Sequence, residues 1–154
     1  MAGDVNIQKL IDRAAISDVV YAYATAVDTH DWELLRSLFT ERLFFDFRTF
    51  APDLFGEISS DEVVERAKVN GNFDATQHIS SNHRHVIEGD QATCVSYMQA
   101  SHFLNRPEGN YHCTLYGYYT NSLIRLPEGW KINRYSLTVT GQTGDPRIFE
   151  WVGF

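Results

Sequence analysis

Four long strand-like segments occupy the second half of the chain and are joined in pairs by two-residue turns. The four segments are Thr76–Glu88, Gln91–Leu104, Tyr111–Leu126 and Gly129–Thr140. Gly89 and Asp90 form a hairpin signal between the first two, and Pro127 and Glu128 form one between the last two. Hairpins join antiparallel neighbours, and strands of this length must twist and bend. We therefore expect a strongly curved antiparallel sheet.

Helical patterns come before these strands. Residues 5–27 lack Gly and Pro, and Ile7, Leu10 and Ile11 begin an apolar stripe at helical spacing. A second, shorter helix is predicted after Asp31, where acidic residues in the first turn favour the helix dipole.

A third helix is predicted at Ser59 and Glu62, which have the spacing of a capping box. Leu43–Phe50 alternates like a strand, and Gly56 marks a loop after it. Helices followed by antiparallel strands are typical of α+β domains rather than of alternating βαβ units. We expect a cone-shaped domain in which three helices pack into the curved sheet and leave a pocket between them.

The composition limits the classes of partner. The 154 residues fit one domain, residues 1–154, and 10 Phe, 8 Tyr and 3 Trp favour an aromatic-lined cavity. A net charge of −7 disfavours nucleic acid and anionic membranes as partners. The N-terminus lacks the pattern of a signal peptide and no segment has the length and hydrophobicity of a membrane span, so we expect a cytoplasmic protein. The two cysteines, Cys94 and Cys113, are expected to be small buried hydrophobes.

Three polar residues could carry acid–base chemistry. Asp28 follows the apolar part of the first helix, His78 begins a strand, and His102 lies near the end of the next strand. A carboxylate that orients an imidazole makes it an effective general base near neutral pH. From spacing alone, a helix-ending aspartate and two ordinary core or edge histidines explain the same residues.

Two further histidines, His83 and His85, could form a metal-binding pair. Strand alternation places them on the face opposite His78 unless a bulge intervenes. No nearby carboxylate completes a ligand set, so a solvent-facing polar stretch is favoured and no metal is expected. The sequence has neither a G-x-S-x-G nucleophile motif nor a glycine-rich phosphate loop.

Several short segments resemble a known family. Ala26–Trp32 is similar to a D-x-x-D-W segment, and Phe45–Phe50 and Thr76–His78 are similar to a strand and a histidine motif of the same family. Over nearly its whole length the chain resembles SnoaL-like proteins of the nuclear transport factor 2-like superfamily, and within them scytalone dehydratase and its bacterial relatives. The resemblance implies the cone-shaped α+β fold already expected.

The resemblance also implies site residues. Asp28 matches the aspartate that orients the catalytic histidine, and His78 matches that histidine. His102 falls where scytalone dehydratase has a second active-site histidine, and Asn121 resembles its substrate-binding asparagine. The two tyrosines that hold a water on the substrate carbonyl in that family are replaced here by Val27 and by Phe47.

These observations predict a cofactor-free lyase that performs a dehydratase-type elimination on a small, largely apolar, cyclic molecule. His78 would remove the proton, Asp28 would hold its tautomer, and His102 or Tyr119 would assist the leaving group. The expected substrate-binding residues are Tyr21, Phe47, Tyr119, Asn121 and Trp151. An isomerase or a cyclase of the same fold, and a binding protein without chemistry, remain alternatives.

Two predictions concern surfaces. The aromatic C-terminal segment, Gly141–Phe154, is expected to cover the pocket as a lid, to pack on the outer sheet or a neighbouring subunit, or to be disordered. The outer face of the sheet should expose aromatic side chains and mediate assembly into a homodimer or homotrimer. Those side chains are Tyr97, Phe103, Tyr116 and Tyr118.

Overall fold

The computed structural model describes residues 7–154. It has four α-helices, one short 3-10 helix at Lys68–Asn72, and six strands. The helices are α1 (Ile7–Thr29), α2 (Trp32–Ser37), α3 (Ser60–Ala67) and α4 (Arg147–Val152). The strands are β1 (Phe39–Asp46), β2 (Phe55–Ser59), β3 (Ala75–Glu88), β4 (Gln91–Arg106), β5 (Gly109–Leu126) and β6 (Gly129–Gly144). The first two residues of the helix predicted at 5–27 lie outside the described residues.

The six strands form one curved, unclosed sheet in the order β2-β1-β6-β5-β4-β3. The predicted α+β cone with N-terminal helices is confirmed, as are both hairpins. One detail differs, because β1 pairs with β6 in parallel and the sheet is therefore mixed. Local hairpin signals cannot report this pairing, since Phe45 lies beside Tyr135, 90 residues further along the chain. The segment around Gly56, predicted as a loop, forms the short edge strand β2.

Helix α1 crosses the concave side of the sheet, but the face that it buries there is not the predicted one. Ile7, Leu10 and Ile11 are exposed, whereas Asp12 and Ile16 are buried. The face is set by Arg125 on β5, whose guanidinium nitrogens lie 2.6 and 2.8 Å from the two carboxylate oxygens of Asp12. A buried carboxylate needs such a partner, so this ion pair orients the helix in a way that apolar spacing did not indicate.

Strand β3 contains a bulge that changes which side chains face the helices. Its register with β4 shifts between Ser81 and Arg84, and Asn82 has a φ of +53°. An extra residue reverses the alternation of side chains. His83 and His85 therefore lie on the same side as His78 and contact Ser17 of α1. The expectation of a solvent-facing stretch was wrong for these two histidines.

The C-terminal segment is more regular than predicted. Strand β6 continues to Gly144, and α4 then packs Ile148, Phe149 and Val152 into the core. Gly153, with a φ of +99°, ends the helix in a left-handed conformation, and the backbone N–H of Phe154 donates to the carbonyl of Phe149.

The outer face of the sheet exposes aromatic side chains as expected. Tyr97 is 58% exposed, Phe103 43% and Tyr116 38%, whereas Tyr118 is half-buried. Assembly through this face stays a prediction. Within residues 7–154, no helix has the length and apolar character needed to cross a membrane.

Candidate active site

A cavity opens between the helices and the concave face of the sheet. Together with its mouth, which is open to solvent, it spans about 660 Å³. Much of its wall is apolar, including Phe45, Phe47, Phe50, Leu54, Met98, Leu115 and Phe149. The polar residues in its wall are Tyr23, Arg66, Asn70, His78, His102, Tyr119 and Tyr135.

Asp28 and His78 meet at the edge of this cavity. Asp28 lies in the last turn of α1, and His78 is the fourth residue of β3. Nδ1 of His78 is 2.7 Å from Oδ1 of Asp28, and the backbone N–H of His78 donates to Oδ2 at 2.8 Å. Thr76 also donates its hydroxyl to Oδ1 at 2.8 Å. Three hydrogen bonds therefore fix the carboxylate and the ring together.

The electrostatics keep Asp28 ionised. Burial is the largest influence and raises its pKa, but the hydrogen bonds from the side chain and backbone of His78 and from Thr76 outweigh it, so the pKa lies below its ordinary value. An ionised Asp28 accepts from Nδ1–H of His78 and selects the tautomer with the lone pair on Nε2. The His78 side chain is 7% exposed, so water has little access to that base.

His102 lies beside His78 with the two ring centroids 5.5 Å apart. Burial, reinforced by the neighbouring His78, lowers the pKa of His102 to about 4. The ring is therefore neutral at neutral pH and cannot act as an imidazolium acid. The ring also forms hydrogen bonds with the backbone at Cys113 and Ala100, which partly oppose this lowering of the pKa.

Three tyrosines form a cluster on the cavity wall. The ring centroid of Tyr135 is 4.9 Å from that of Tyr23 and 5.1 Å from that of Tyr119. Burial raises the pKa of each phenol, so all three carry their protons at neutral pH. The Tyr135 hydroxyl interacts with the hydroxyls of Tyr23 and Tyr119. The cluster therefore places three protonated phenols in the cavity wall.

Helix α3 and the 3-10 helix after it add a cation and an amide. Arg66 packs its guanidinium 5.1 Å from the ring centroid of Phe45. Its Nη1 and the Oδ1 of Asn70 are buried and have no hydrogen-bond partner among the described residues. Buried polar atoms normally find partners, so this side of the cavity is suited to a polar group of a ligand.

The structure brings most, but not all, of the expected site residues together. Asp28 contacts His78, and His102, Phe47 and Tyr119 line the same cavity. The remaining three do not line it and are Tyr21, Asn121 and Trp151.

Each of these three side chains contacts or neighbours other residues outside the cavity. Tyr21 is 47% exposed on α1 and stacks on His83, with centroids 4.4 Å apart. Asn121 is buried beside Cys94 on the next strand. Trp151 points away from the cavity onto Tyr111, at a centroid distance of 5.0 Å.

Four polar residues of the cavity wall were not predicted as site residues from the sequence: Tyr23, Tyr135, Arg66 and Asn70. Tyr23 lies three residues after Val20 and four before Val27, on the apolar face of the first helix, and this spacing could have identified it. Tyr135 and Arg66 carried no usable signal, because they come from segments far apart in the chain. Val27 and Phe47 stand where the family resemblance implies tyrosines, but the cavity wall contains tyrosines at other positions.

Known proteins share this fold and sequence pattern. The chain is 26% identical to Kfla4162 of Kribbella flavida, whose crystal structure superposes with a TM-score of 0.83 over 88% of this chain and 95% of that one. It is 25% identical to the "Putative Scytalone Dehydratase" of Novosphingobium aromaticivorans, with a TM-score of 0.77 and 89% of each chain covered. The uncharacterized protein Rv2910c of Mycobacterium tuberculosis is 25% identical over 133 residues, which are 84% of this chain and 86% of that protein.

The family assignment comes from a match that spans most of the chain. The SnoaL-like domain matches residues 8–136, from the start of α1 to the middle of β6. This range contains the cavity residues of α1, of α3 and of strands β1 and β3 to β5. The chain belongs to the SnoaL-like domain family of the nuclear transport factor 2-like superfamily.

Proposed function

We propose that the protein is a cofactor-free lyase that eliminates water from a small, largely apolar, cyclic β-hydroxy carbonyl compound. The observation that carries this proposal is the pairing of Asp28 with His78 at the wall of an apolar cavity. An imidazole whose Nδ1–H is held by a carboxylate presents a basic Nε2, and the imidazolium formed on protonation is stabilised by that carboxylate.

The reaction needs three events at these residues. Nε2 of His78 takes the proton from the carbon next to the carbonyl, and the electron pair of that C–H bond forms an enolate. The enolate oxygen then receives hydrogen bonds from the cavity, for which the Tyr135 hydroxyl and Nη1 of Arg66 are buried donors in the wall. The enolate re-forms the carbonyl as the β-hydroxyl leaves, taking the proton back from His78 and departing as water.

The role of His102 follows from its low pKa. A ring with a pKa of about 4 is neutral when the enzyme works, so it can orient the β-hydroxyl by a hydrogen bond but is not the proton source. The phenol of Tyr119 is likewise too weak an acid to be the main donor. We therefore assign both protonation steps to His78, and positioning of the substrate to His102 and Tyr119.

The comparisons support the elimination more than its alternatives. The name of the Novosphingobium protein describes a dehydratase, and it covers 89% of this chain. An isomerase would use the same base but return the proton to another carbon. A binding protein would need neither the ionised Asp28 nor the Nε2 lone pair of His78, so the dyad favours catalysis.

The test is a screen of cyclic β-hydroxy ketones with the wild-type protein, His78→Gln and the control His112→Gln. His112 is exposed on β5, and it does not line the cavity. We expect a product lighter by one water from the wild type and the control, and a loss of about 10²–10⁴-fold in kcat for His78→Gln. A product of unchanged mass would identify an isomerase, and equal activity of all three proteins would refute the mechanism.

A further inference from the structure

A second cluster of reactive side chains lies outside the cavity, on β3 and β4 under helix α1. His83, His85 and Cys94 each offer one ligand atom, and these atoms lie within 4.8 Å of one another. His85 and Cys94 are direct cross-strand partners, and the bulge in β3 turns His83 to the same side. None of the three lines the cavity that holds His78.

We propose that His83, His85 and Cys94 form a binding site for one divalent transition-metal ion of the zinc type. Two imidazoles and one thiolate are a ligand set that Zn²⁺ and Co²⁺ accept. In a tetrahedral site with bonds of about 2.0–2.3 Å, ligand atoms are about 3.3–3.7 Å apart. The three atoms therefore need to close by roughly 1 Å, which side-chain rotation can supply. This proposal does not depend on the proposed lyase activity.

The hydrogen bonds around the cluster leave one nitrogen open. Oγ of Ser17 is 2.9 Å from Nδ1 of His83 and 2.9 Å from Nε2 of His85, and Oγ of Ser80 is 2.9 Å from Nε2 of His83. We assign the proton to Nε2 in both rings, so that His83 donates to Ser80 and His85 donates to Ser17. Nδ1 of His85 then carries a lone pair. That atom is buried and has no hydrogen-bond partner among the described residues.

The same arrangement supplies the supporting contacts of a metal site. Metal-bound histidines usually donate their other ring N–H to an oxygen, which fixes the ring. Ser80 and Ser17 are in place to do this for His83 and His85. Asn121 on β5 lies beside Cys94, and its buried Oδ1 also has no partner within residues 7–154. We assign this oxygen as the acceptor for a water at the fourth metal position.

The charges of the three side chains are compatible with binding of a cation. Burial lowers the pKa of His83 and of His85, and both rings are therefore neutral and able to bind a cation. Burial raises the pKa of Cys94 to about 11, so the thiol is protonated before the metal binds and must lose that proton on binding. Arg13 is the positively charged side chain that acts against a cation near His85. The two half-buried histidines give the site access from solvent.

The test uses the full chain, stripped with a chelator and titrated with Zn²⁺ or Co²⁺. We expect one Zn²⁺ per chain by calorimetry, a thiolate-to-Co²⁺ charge-transfer band, and a rise in Tm of about 5–10 °C at 100-fold excess over Kd. Cys94→Ser should abolish the band, whereas Cys113→Ser should keep it. Both cysteines are fully buried, so the pair separates loss of a ligand from loss of packing.

A second pair of variants keeps the test decisive even if Cys94→Ser folds poorly. His83→Gln, at a half-buried position, should weaken Zn²⁺ binding at least tenfold, and His78→Gln should leave it unchanged. The proposal is overturned if the stripped wild type binds no Zn²⁺ at micromolar concentration. It is equally overturned if binding follows Cys113 or His78 instead of Cys94 and His83.

Discussion

Asp28 holds His78 at two points, because Oδ1 is 2.7 Å from the ring nitrogen Nδ1 and Oδ2 accepts the backbone N–H at 2.8 Å. The carboxylate therefore holds both the backbone of β3 and the imidazole ring of His78. The end of α1 and the start of β3 are joined through this one side chain, so the position of the proposed base depends directly on how the helix packs into the sheet.

The first prediction concerns this contact. Asp28→Asn should lower kcat by about 10³–10⁴-fold, because an amide can donate to His78 and favour the wrong tautomer. Thr76→Val removes a single hydrogen bond to Oδ1 and should cost about tenfold, from a bond worth about 1–1.5 kcal/mol. Steady-state kinetics on the substrate found by screening measures both. A larger loss for Thr76→Val than for Asp28→Asn would contradict this assignment.

The second prediction separates catalysis from stability at Tyr135. Its hydroxyl interacts with those of Tyr23 and Tyr119, so Tyr135→Phe should lower the free energy of unfolding by no more than about 1 kcal/mol. If the hydroxyl stabilises the enolate, kcat should fall by about 10²–10³-fold. Thermal melts and kinetics on the same preparation check this. Unchanged kcat would remove Tyr135 from the mechanism.

The third prediction is a pH dependence of stability at Asp12. Arg125 is the largest influence on Asp12 and lowers its pKa from 3.8 to about 2. A depressed folded-state pKa contributes stability that is complete above the unfolded pKa and is lost as the pH falls from about 4 to about 2. Asp12→Asn should therefore reduce the free energy of unfolding at pH 7 by about 2 kcal/mol. The difference in this free energy between the variant and the wild type should become smaller below pH 4.

Urea melts between pH 7 and pH 2.5 measure this gap, with Asp90→Asn as the matched control. Asp90 binds the same arginine at 2.9 Å, but its side chain is 79% exposed, so its replacement should cost little. Equal effects of the two substitutions would show that burial of Asp12 does not strengthen the pair.

The fourth prediction concerns the C-terminal segment as a lid. Phe154 lines the cavity, is 45% exposed, and has its ring centroid 5.5 Å from that of Phe50. Phe154→Ala should weaken ligand binding roughly tenfold through lost apolar contact, with little change in Tm. Trp151→Ala, which removes a ring packed outside the cavity on Tyr111, should instead lower Tm and leave affinity unchanged. The reverse pattern would make the segment structural.

The fifth prediction is self-association through the outer face of the sheet. The wild type should have a mass of two or three times 17.7 kDa in light scattering at micromolar concentration. Tyr97→Glu, on that face and 58% exposed, should reduce the mass, whereas Ile11→Glu, 55% exposed on α1, should not. A wild-type mass of a single chain would contradict the prediction.

Much of this molecule could be predicted from the sequence because the signals are local. The capping box at Ser59 and Glu62 forms through contacts three residues apart. The turn at Gly89 and Asp90 joins strands that neighbour each other in the chain. The pairing of Asp28 with His78 was indicated by family motifs around each residue, although 50 positions separate them.

What only the tertiary structure decided depends on contacts between distant segments. The bulge at Asn82 reverses the face of His83 and His85, and alternation alone cannot place a single extra residue. Arg125 draws Asp12 into the buried face of α1, against the apolar stripe. The site takes Tyr23, Arg66 and Tyr135 from a helix, a second helix and the last strand. Periodicity reports which face of one element is apolar, but a cavity wall depends on how several elements pack together.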